Sequence, residues 1–321
     1  MGLVQLAVSL PLYVPLVVPP FAALAARPIA GRLPPAAATW LLTGSALVLA
    51  VTSSAVLGLL AMTAVARIPL VAGLGHLSVQ VMVRDDPASL PVAIVAGAAC
   101  AAVAAAACRA LCRRGTAIVA AGRQARRLPG TGDVVVTEDD AADAYTLPGW
   151  PCRIVITSGM LRALTRPERQ VLLAHERAHA SWKHYLFTSA ARLAAAANPL
   201  LRPVASEVGF TVERWADEHA ATVTGDRRLT ARAVARAALA SSAAPPARDG
   251  TLAQLGIVDV SMRHAGPVPR RVAALLQPPP RLSVLLLVAA LLLVAVSGAS
   301  ALVAASNLHA LIEYAQSGYR G

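Results

Sequence analysis

Long uninterrupted apolar blocks constrain this chain more than any other feature of its sequence. A helix needs about 20 apolar residues to cross the hydrocarbon core of a bilayer. Four stretches meet that requirement: residues 3–26, 38–60, 89–108 and 282–305. The chain is 56% hydrophobic and only 14% charged, which is too apolar for a soluble globular protein. We therefore expect an integral membrane protein with four transmembrane helices.

The placement of arginines predicts how these spans are oriented. Arg27 and Arg32 follow the first span, six arginines follow the third within residues 109–127, and Arg281 precedes the fourth. Because cytoplasmic loops carry an excess of Lys and Arg, we expect a multi-pass protein of the cell membrane with both termini outside. The region between the third and fourth spans is then cytoplasmic. Since nothing basic precedes Arg27, the first span reads as an uncleaved anchor and not as a signal peptide.

The net charge of +12 and the four cysteines exclude some classes of function. Arginines beside the cytoplasmic leaflet are attracted to anionic lipid, which makes membrane lipid a partner and explains the basic balance. The sequence has no nucleic-acid recognition motif and no basic patch with interleaved aromatics, so we expect no direct nucleic-acid binding. No CxxC pair is present, which argues against a zinc site built from cysteines.

The cytoplasmic region reads as mostly helical. Two short β-rich runs, residues 134–136 and 154–157, predict a small β element. Thr165 and Glu168 form a capping-box pattern around Pro167, and the helix that starts there should continue to Ser181. A later helix should run from about residue 203 to a stop at Gly225.

The first of these helices carries the motif His175-Glu176-Arg177-Ala178-His179. Positions four apart on a helix point the same way, so both histidines can reach one metal ion. Glu176 lies about a quarter-turn away, where it can act as a general base on a water molecule. The motif therefore predicts a zinc-dependent hydrolytic site with one Zn²⁺ per chain.

A catalytic zinc ion usually has three protein ligands, so a third must come from another element. Glu213 on the later helix is the best candidate. Asp217, one turn further along, either orients a ligand histidine or forms a surface salt bridge with an arginine. His219 or Arg214 is the candidate for stabilising the oxyanion of the transition state.

Other polar residues receive ordinary interpretations from the sequence. His184, like His219, is expected on the polar surface, outside the metal site. The pair Arg270-Arg271 is expected to be a basic flank within a Pro/Ala/Ser-rich linker that spans residues 241–281.

The motif, followed by Asn198-Pro199-Leu200 and by Glu213-Arg214-Trp215-Ala216-Asp217, resembles the BlaR/MecR-type family of membrane-embedded zinc metallopeptidases, which are gluzincins. The resemblance implies that the two motif histidines and Glu213 bind zinc and that Glu176 is the catalytic acid/base. Antibiotic-sensing members carry a penicillin-binding sensor domain after the last span. Because this sequence ends soon after span four, we expect that domain to be lacking. The resemblance also suggests self-cleavage in the linker near Arg270.

The predicted fold class is mainly α, with four transmembrane helices and a cytoplasmic helical zincin domain that contains a small β element. The predicted domains are residues 1–112 with three spans, 113–240 with the peptidase, 241–281 with the linker, and 282–321 with the fourth span and a short external tail. No cofactor besides zinc is expected, and the oligomeric state stays open.

Three functions fit this sequence. The first is regulated proteolysis of a cytoplasmic protein, such as a transcriptional repressor. The second is quality control of membrane proteins, as in the heat-shock protease HtpX, which shares the HExxH and Glu-x-x-x-Asp pattern. The third is a non-catalytic membrane receptor or scaffold, which would have no need of Glu176.

Overall fold

Helices make up most of the protein. The structure, a computed structural model, describes residues 3–74, 76, 89–150, 152–243 and 268–317. The described helices are α1 (Leu3–Arg32), α2 (Pro35–Val65), α3 (Pro69–Leu74), α4 (Leu90–Arg127), α5 (Ser158–Ala163), α6 (Arg166–Ser181), α7 (His184–Ala197), α8 (Arg202–Thr224), α9 (Arg227–Ala243), α10 (Val268–Leu275) and α11 (Val284–Ser317). The described strands are β1 (Val134–Thr137), β2 (Ala144–Leu147) and β3 (Arg153–Thr157).

Four of these helices, α1, α2, α4 and α11, are long and apolar enough to cross a membrane. They coincide with the four predicted spans, and the predicted fold class is confirmed. Helix α4 differs in length, because it continues to Arg127 and not to the predicted span end at residue 108. Alanine and arginine both have high helix propensity, so the charges that end the apolar block do not end the helix.

The small β element is a sheet with the strand order β1-β3-β2. Strand β1 pairs parallel to β3, and β2 pairs antiparallel to β3. The two predicted strands are confirmed as β1 and β3. Strand β2 was not predicted, because its four residues begin with an alanine and show no run of β-branched side chains. It occupies an outer position in the sheet, next to α6.

Helix α6 begins as the capping box predicts. The backbone N–H of Thr165 donates to Glu168 Oε2 at 2.9 Å, and Arg236 of α9 also donates to that oxygen at 2.6 Å. The buried face of α6 includes Val171 and Leu172 and packs against α8 and α9. The same face carries His175, so the packing that buries the helix also fixes the motif.

Polar contacts join the segment around α7 and α8 to the second span. Thr39 Oγ1 of α2 lies 2.9 Å from Thr211 Oγ1 of α8. Asn198, which follows α7, donates to Ser53 Oγ of α2 at 2.9 Å. Apolar side chains of α1, α2, α7 and α8 share one buried cluster around these bonds. Helix α8, against which the motif helix α6 packs, is therefore itself packed against the spans.

The predicted linker contains a helix. Residues 244–267 lie outside the described part of the chain, but α10 occupies residues 268–275 of the stretch expected to be a linker. Arg227 at the start of α9 holds the end of α10, donating to the carbonyl oxygens of Ala274 and Leu275 at 3.1 and 3.0 Å. Prediction failed here because these contacts are long-range, and the local sequence is rich in Pro and Arg.

Candidate metal centre

His175, His179 and Glu213 converge at one point between α6 and α8. One ligand atom from each lies within 4.8 Å of the other two. The Nε2 atoms of the two histidines are 3.1 Å apart, and each lies 3.5 Å from an oxygen of Glu213. The carboxylate is buried, with 3% of its side chain exposed. The sequence predicted this trio, and the structure brings it together.

The outer nitrogen of His175 faces Asp217. His175 Nδ1 is 3.0 Å from Asp217 Oδ1, and both side chains are buried. A proton on Nδ1 can therefore be donated to the carboxylate, which leaves the lone pair of Nε2 directed at Glu213 and His179. Second partners of this kind fix the tautomer and the orientation of metal-binding histidines.

Arg271 of α10 lies behind both carboxylates. Its guanidinium donates to Asp217 through two hydrogen bonds of 2.6 and 2.7 Å. Its Nη1 is 3.0 Å from Glu213 Oε2, and the side chain is completely buried. One buried cation therefore offsets one of the two buried negative charges, so these three groups together keep a net negative charge.

The outer nitrogen of His179 faces His184. The two Nδ1 atoms are 3.0 Å apart, and His184 is buried against the ring of Trp215 at a centroid distance of 4.8 Å. Burial, together with the neighbouring His179, His175 and His219, lowers the pKa of His184 to about 2, although Glu213 opposes the shift. A neutral His184 can accept a hydrogen bond from Nδ1–H of His179. The lone pair of His179 Nε2 then faces His175 and Glu213.

Glu176 lies beside the trio and does not belong to it. Its side chain is buried, and Thr146 of β2 donates to Glu176 Oε2 at 2.9 Å. Burial raises the pKa of Glu176, which His175, Thr146 and Arg271 partly oppose. A raised pKa makes the carboxylate a better proton acceptor, as a general base requires.

The charges of the cluster oppose the cost of burial. Burial raises the pKa of Glu213, but the positive charge of Arg271 and the two histidines hold it well below its usual range. Burial lowers the pKa of His175, but its bonds to Asp217 and Glu213 raise it to about 10. The lowered pKa of Glu213 and the raised pKa of His175 both indicate a site with two buried carboxylates that attracts positive charge.

This donor set suits a metal ion. Two imidazole nitrogens and a carboxylate converge, and the other ring nitrogen of each histidine faces a partner that can hold its proton. Such a set of nitrogen and oxygen donors, with positions for further ligands, is typical of catalytic metal sites. The arrangement can hold a divalent cation with Glu176 next to it.

The two candidates for oxyanion stabilisation lie elsewhere. Arg214 Nη1 donates to the backbone carbonyl of Ala30 in α1 at 2.5 Å, which directs its guanidinium toward the first span. One residue along a helix is a rotation of about 100°, which turns Arg214 toward the span while Glu213 faces the cluster. His219 is half-buried near His184, with no described bond to the trio.

Three residues of the site were missed by sequence reasoning. Arg271 was read as a basic flank and His184 as a surface residue, yet they are 0% and 1% exposed. Thr146 lies on the unpredicted strand β2. The aromatic neighbours Trp182 and Trp215 were the one signal for a buried His184, since neutral histidine packs well against such rings.

The expected cleavage point near Arg270 is not an exposed linker. Arg270 forms two bonds to Glu207 of α8, at 2.9 and 3.0 Å, and its guanidinium lies 3.7 Å from the ring centre of Phe210. Both Arg270 and Arg271 lie in α10, and both side chains form ion pairs. Since a peptidase needs an extended backbone in its cleft, self-cleavage at this point would require α10 to unfold first.

Comparison with known proteins identifies the region around the motif. Residues 116–198 match Peptidase family M48. The match begins within α4, includes the sheet, α6 and α7, and ends before Glu213. It supports neither the BlaR/MecR subtype nor the absence of a sensor domain. No curated protein and no solved structure matches the chain. Over residues 116–198 the chain is therefore similar to Peptidase family M48, a family of metallopeptidases.

Proposed function

We propose that the protein is a membrane-bound zinc endopeptidase in which His175, His179 and Glu213 bind one zinc ion. The observation that carries this proposal is the convergence of their three donor atoms within 4.8 Å. Zinc is the metal that this donor set and the HExxH spacing favour. A scaffold without catalysis would gain nothing from burying Glu176 beside such a cluster, since burying a carboxyl costs free energy.

We assign the proton transfers to Glu176. When bound, zinc would supply Lewis-acid polarisation of the scissile carbonyl and activation of water. Glu176 takes the proton of the attacking water and later delivers it to the leaving amine. Thr146 holds the carboxyl in place through its 2.9 Å hydrogen bond, so the proton acceptor is fixed before substrate arrives. Asp217 and His184 orient the two histidines.

The substrate backbone has a suitable docking strand. Strand β2 is an outer strand of the sheet, and Thr146, on that strand, contacts Glu176. Extended peptides bind proteins by adding a strand to such an edge. We propose that the substrate lies along β2, which brings its scissile bond next to Glu176.

Removing the metal should stop proteolysis reversibly. We expect the protein, purified in detergent, to contain one zinc ion per chain, to cleave an unfolded reporter protein, and to lose both properties with phenanthroline. Zinc should restore cleavage. Glu213→Gln should lower zinc affinity by more than the roughly 10–100-fold cost of losing an outer partner of a ligand. Zinc content by mass spectrometry and reporter cleavage measure these outcomes.

Glu207→Gln is the matched control, because Glu207 lies on the same helix but pairs with Arg270 outside the cluster. It should keep its zinc. A wild-type protein without zinc, or cleavage that continues in phenanthroline, would disprove the proposed function.

We propose further that the peptidase domain faces the cytoplasm and cleaves a cytoplasmic protein, such as a transcriptional repressor, in response to a signal. The resemblance of residues 175–179 and 213–217 to BlaR/MecR-type peptidases supports this. Comparing protein levels between cells with wild type and cells with Glu176→Gln shows how many substrates the enzyme has, because uncleaved substrates accumulate. One or a few accumulating proteins are expected. Accumulation of many membrane proteins would instead establish the quality-control function.

A further inference from the structure

An apolar cavity of about 390 Å³ lies among three of the spans and the helix that carries Glu213. Its walls come from α1, α2 and α11, with Val204 of α8 at one side. Apart from the hydroxyl of Ser45, the lining residues are apolar. The volume falls within the roughly 300–1,000 Å³ typical of small-molecule sites.

The cavity lies at one end of the spans, on the side of the peptidase helices. The lining residues of α1 lie within residues 21–29, near its C-terminal end at Arg32. Those of α2 lie within residues 42–49 and those of α11 within residues 286–294, in the first half of each helix. These are the halves of α1 and α2 nearest to Ala30 and Thr39, which bond to α8. The cavity is therefore within the leaflet adjacent to the peptidase domain.

Three exposed arginines lie within a few residues of lining residues of the cavity in the sequence. Arg27 precedes the lining residue Pro28, Arg202 is two residues before Val204, and Arg281 is five residues before Leu286. Arg202 is also the first residue of the 23-residue helix α8, whose N-terminal N–H groups favour an anion. The first acidic residue of the chain is Asp85, so no carboxylate of α1 or α2 offsets this charge.

We propose that this cavity binds an acyl chain of an anionic phospholipid, with the phosphate headgroup at the arginines. The apolar walls exclude a polar ligand, because burial of polar groups without partners is costly. The exposed arginines close in sequence to the lining residues favour a phosphate over a zwitterionic or neutral headgroup. A lipid of the surrounding leaflet can place its acyl chain in the cavity and its phosphate near the arginines.

The site adjoins the structure that holds the metal centre. Val204 at the wall and Glu213 lie on the same helix, about 14 Å apart along its axis. Ile29 at the wall precedes Ala30, whose carbonyl accepts the bond from Arg214. An acyl chain in the cavity would contact both α1 and Val204 of α8, so the bound lipid would stabilise the packing of the helix that carries Glu213.

The test uses the full chain, reconstituted in an equal mixture of phosphatidylglycerol and phosphatidylcholine and then re-extracted in detergent. Lipid retained per chain is measured by mass spectrometry. We expect wild type to retain phosphatidylglycerol preferentially. Ala290→Phe, which fills the cavity from α11, should remove the retained lipid. Ala295→Phe is the matched control, because Ala295 is exposed on the same helix and does not line the cavity.

The headgroup is tested with Arg27→Gln, Arg202→Gln and Arg281→Gln. Each should reduce the preference for phosphatidylglycerol roughly fivefold, whereas Arg109→Gln, an exposed arginine on α4, should not. Circular dichroism shows whether each variant is folded, independently of zinc or activity. Equal retention by Ala290→Phe and Ala295→Phe would overturn the acyl-chain site. Retention without preference for phosphatidylglycerol would overturn the assignment of an anionic headgroup.

Discussion

Glu176→Gln should reduce peptide hydrolysis by about 100-fold to 10,000-fold or more, the range that general acid–base catalysis supplies, while leaving zinc bound. The amide keeps the size of the carboxyl but cannot take a proton from water. Thr146 can still donate to the side-chain oxygen, so the local structure should persist. Cleavage of an unfolded reporter protein and the zinc content of the same preparation are the two measurements.

Glu138→Gln is the control for this substitution, because Glu138 is exposed and lies outside the cluster. It should match wild type in both measurements. If Glu176→Gln cleaved as fast as wild type, the activity would belong to another site or to a contaminant. Loss of zinc from Glu176→Gln would mean that Glu176 helps to hold the metal and is not solely the acid/base.

Arg271→Leu should destabilise the protein by about 3–5 kcal/mol, the cost of removing one partner from a buried ion pair. The substitution leaves Glu213 and Asp217 buried, negatively charged and without their cation. Zinc replaces part of the missing positive charge, so the stabilisation by added zinc should be larger in the variant than in wild type. Thermal unfolding with and without zinc measures the effect.

The neighbouring arginine provides a matched control. Arg270 lies on the same helix and pairs with Glu207, but its side chain is 26% exposed and its pair lies outside the cluster. Arg270→Leu should therefore cost less and should not change the effect of zinc. Asp217→Asn combined with Arg271→Leu should recover part of the lost stability, because it removes one of the two orphaned charges. Equal effects of Arg270→Leu and Arg271→Leu would contradict this account.

What could be predicted from sequence is what depends on local spacing. The spans follow from the length of apolar blocks, and the approach of His175 to His179 follows from a separation of one helical turn. Glu213 and Asp217 were found because they repeat that spacing on a second helix. The capping box at Thr165 is also local, and the structure has it where the pattern indicated.

What could not be predicted depends on contacts between distant segments. Nothing around Arg271 distinguishes a buried ion-pair partner from a basic flank, because its partners are 54 and 58 residues away in the chain. His184 is buried by the packing of α7 on α8, which local sequence does not encode. Strand β2 was missed because pairing with β3 defines it, more than its own four residues do.

The position of Arg271 also shows that the candidate metal centre extends beyond the segment that sequence comparison delimits. The matched domain ends at residue 198, and the predicted one at residue 240, yet the cation of the centre arrives on the helix that leads into the fourth span. A fragment that stops after α9 would keep every candidate ligand and still expose two carboxylates without their counter-charge. A fragment that keeps the electrostatic balance of this centre must therefore include α10 as well as the HExxH segment.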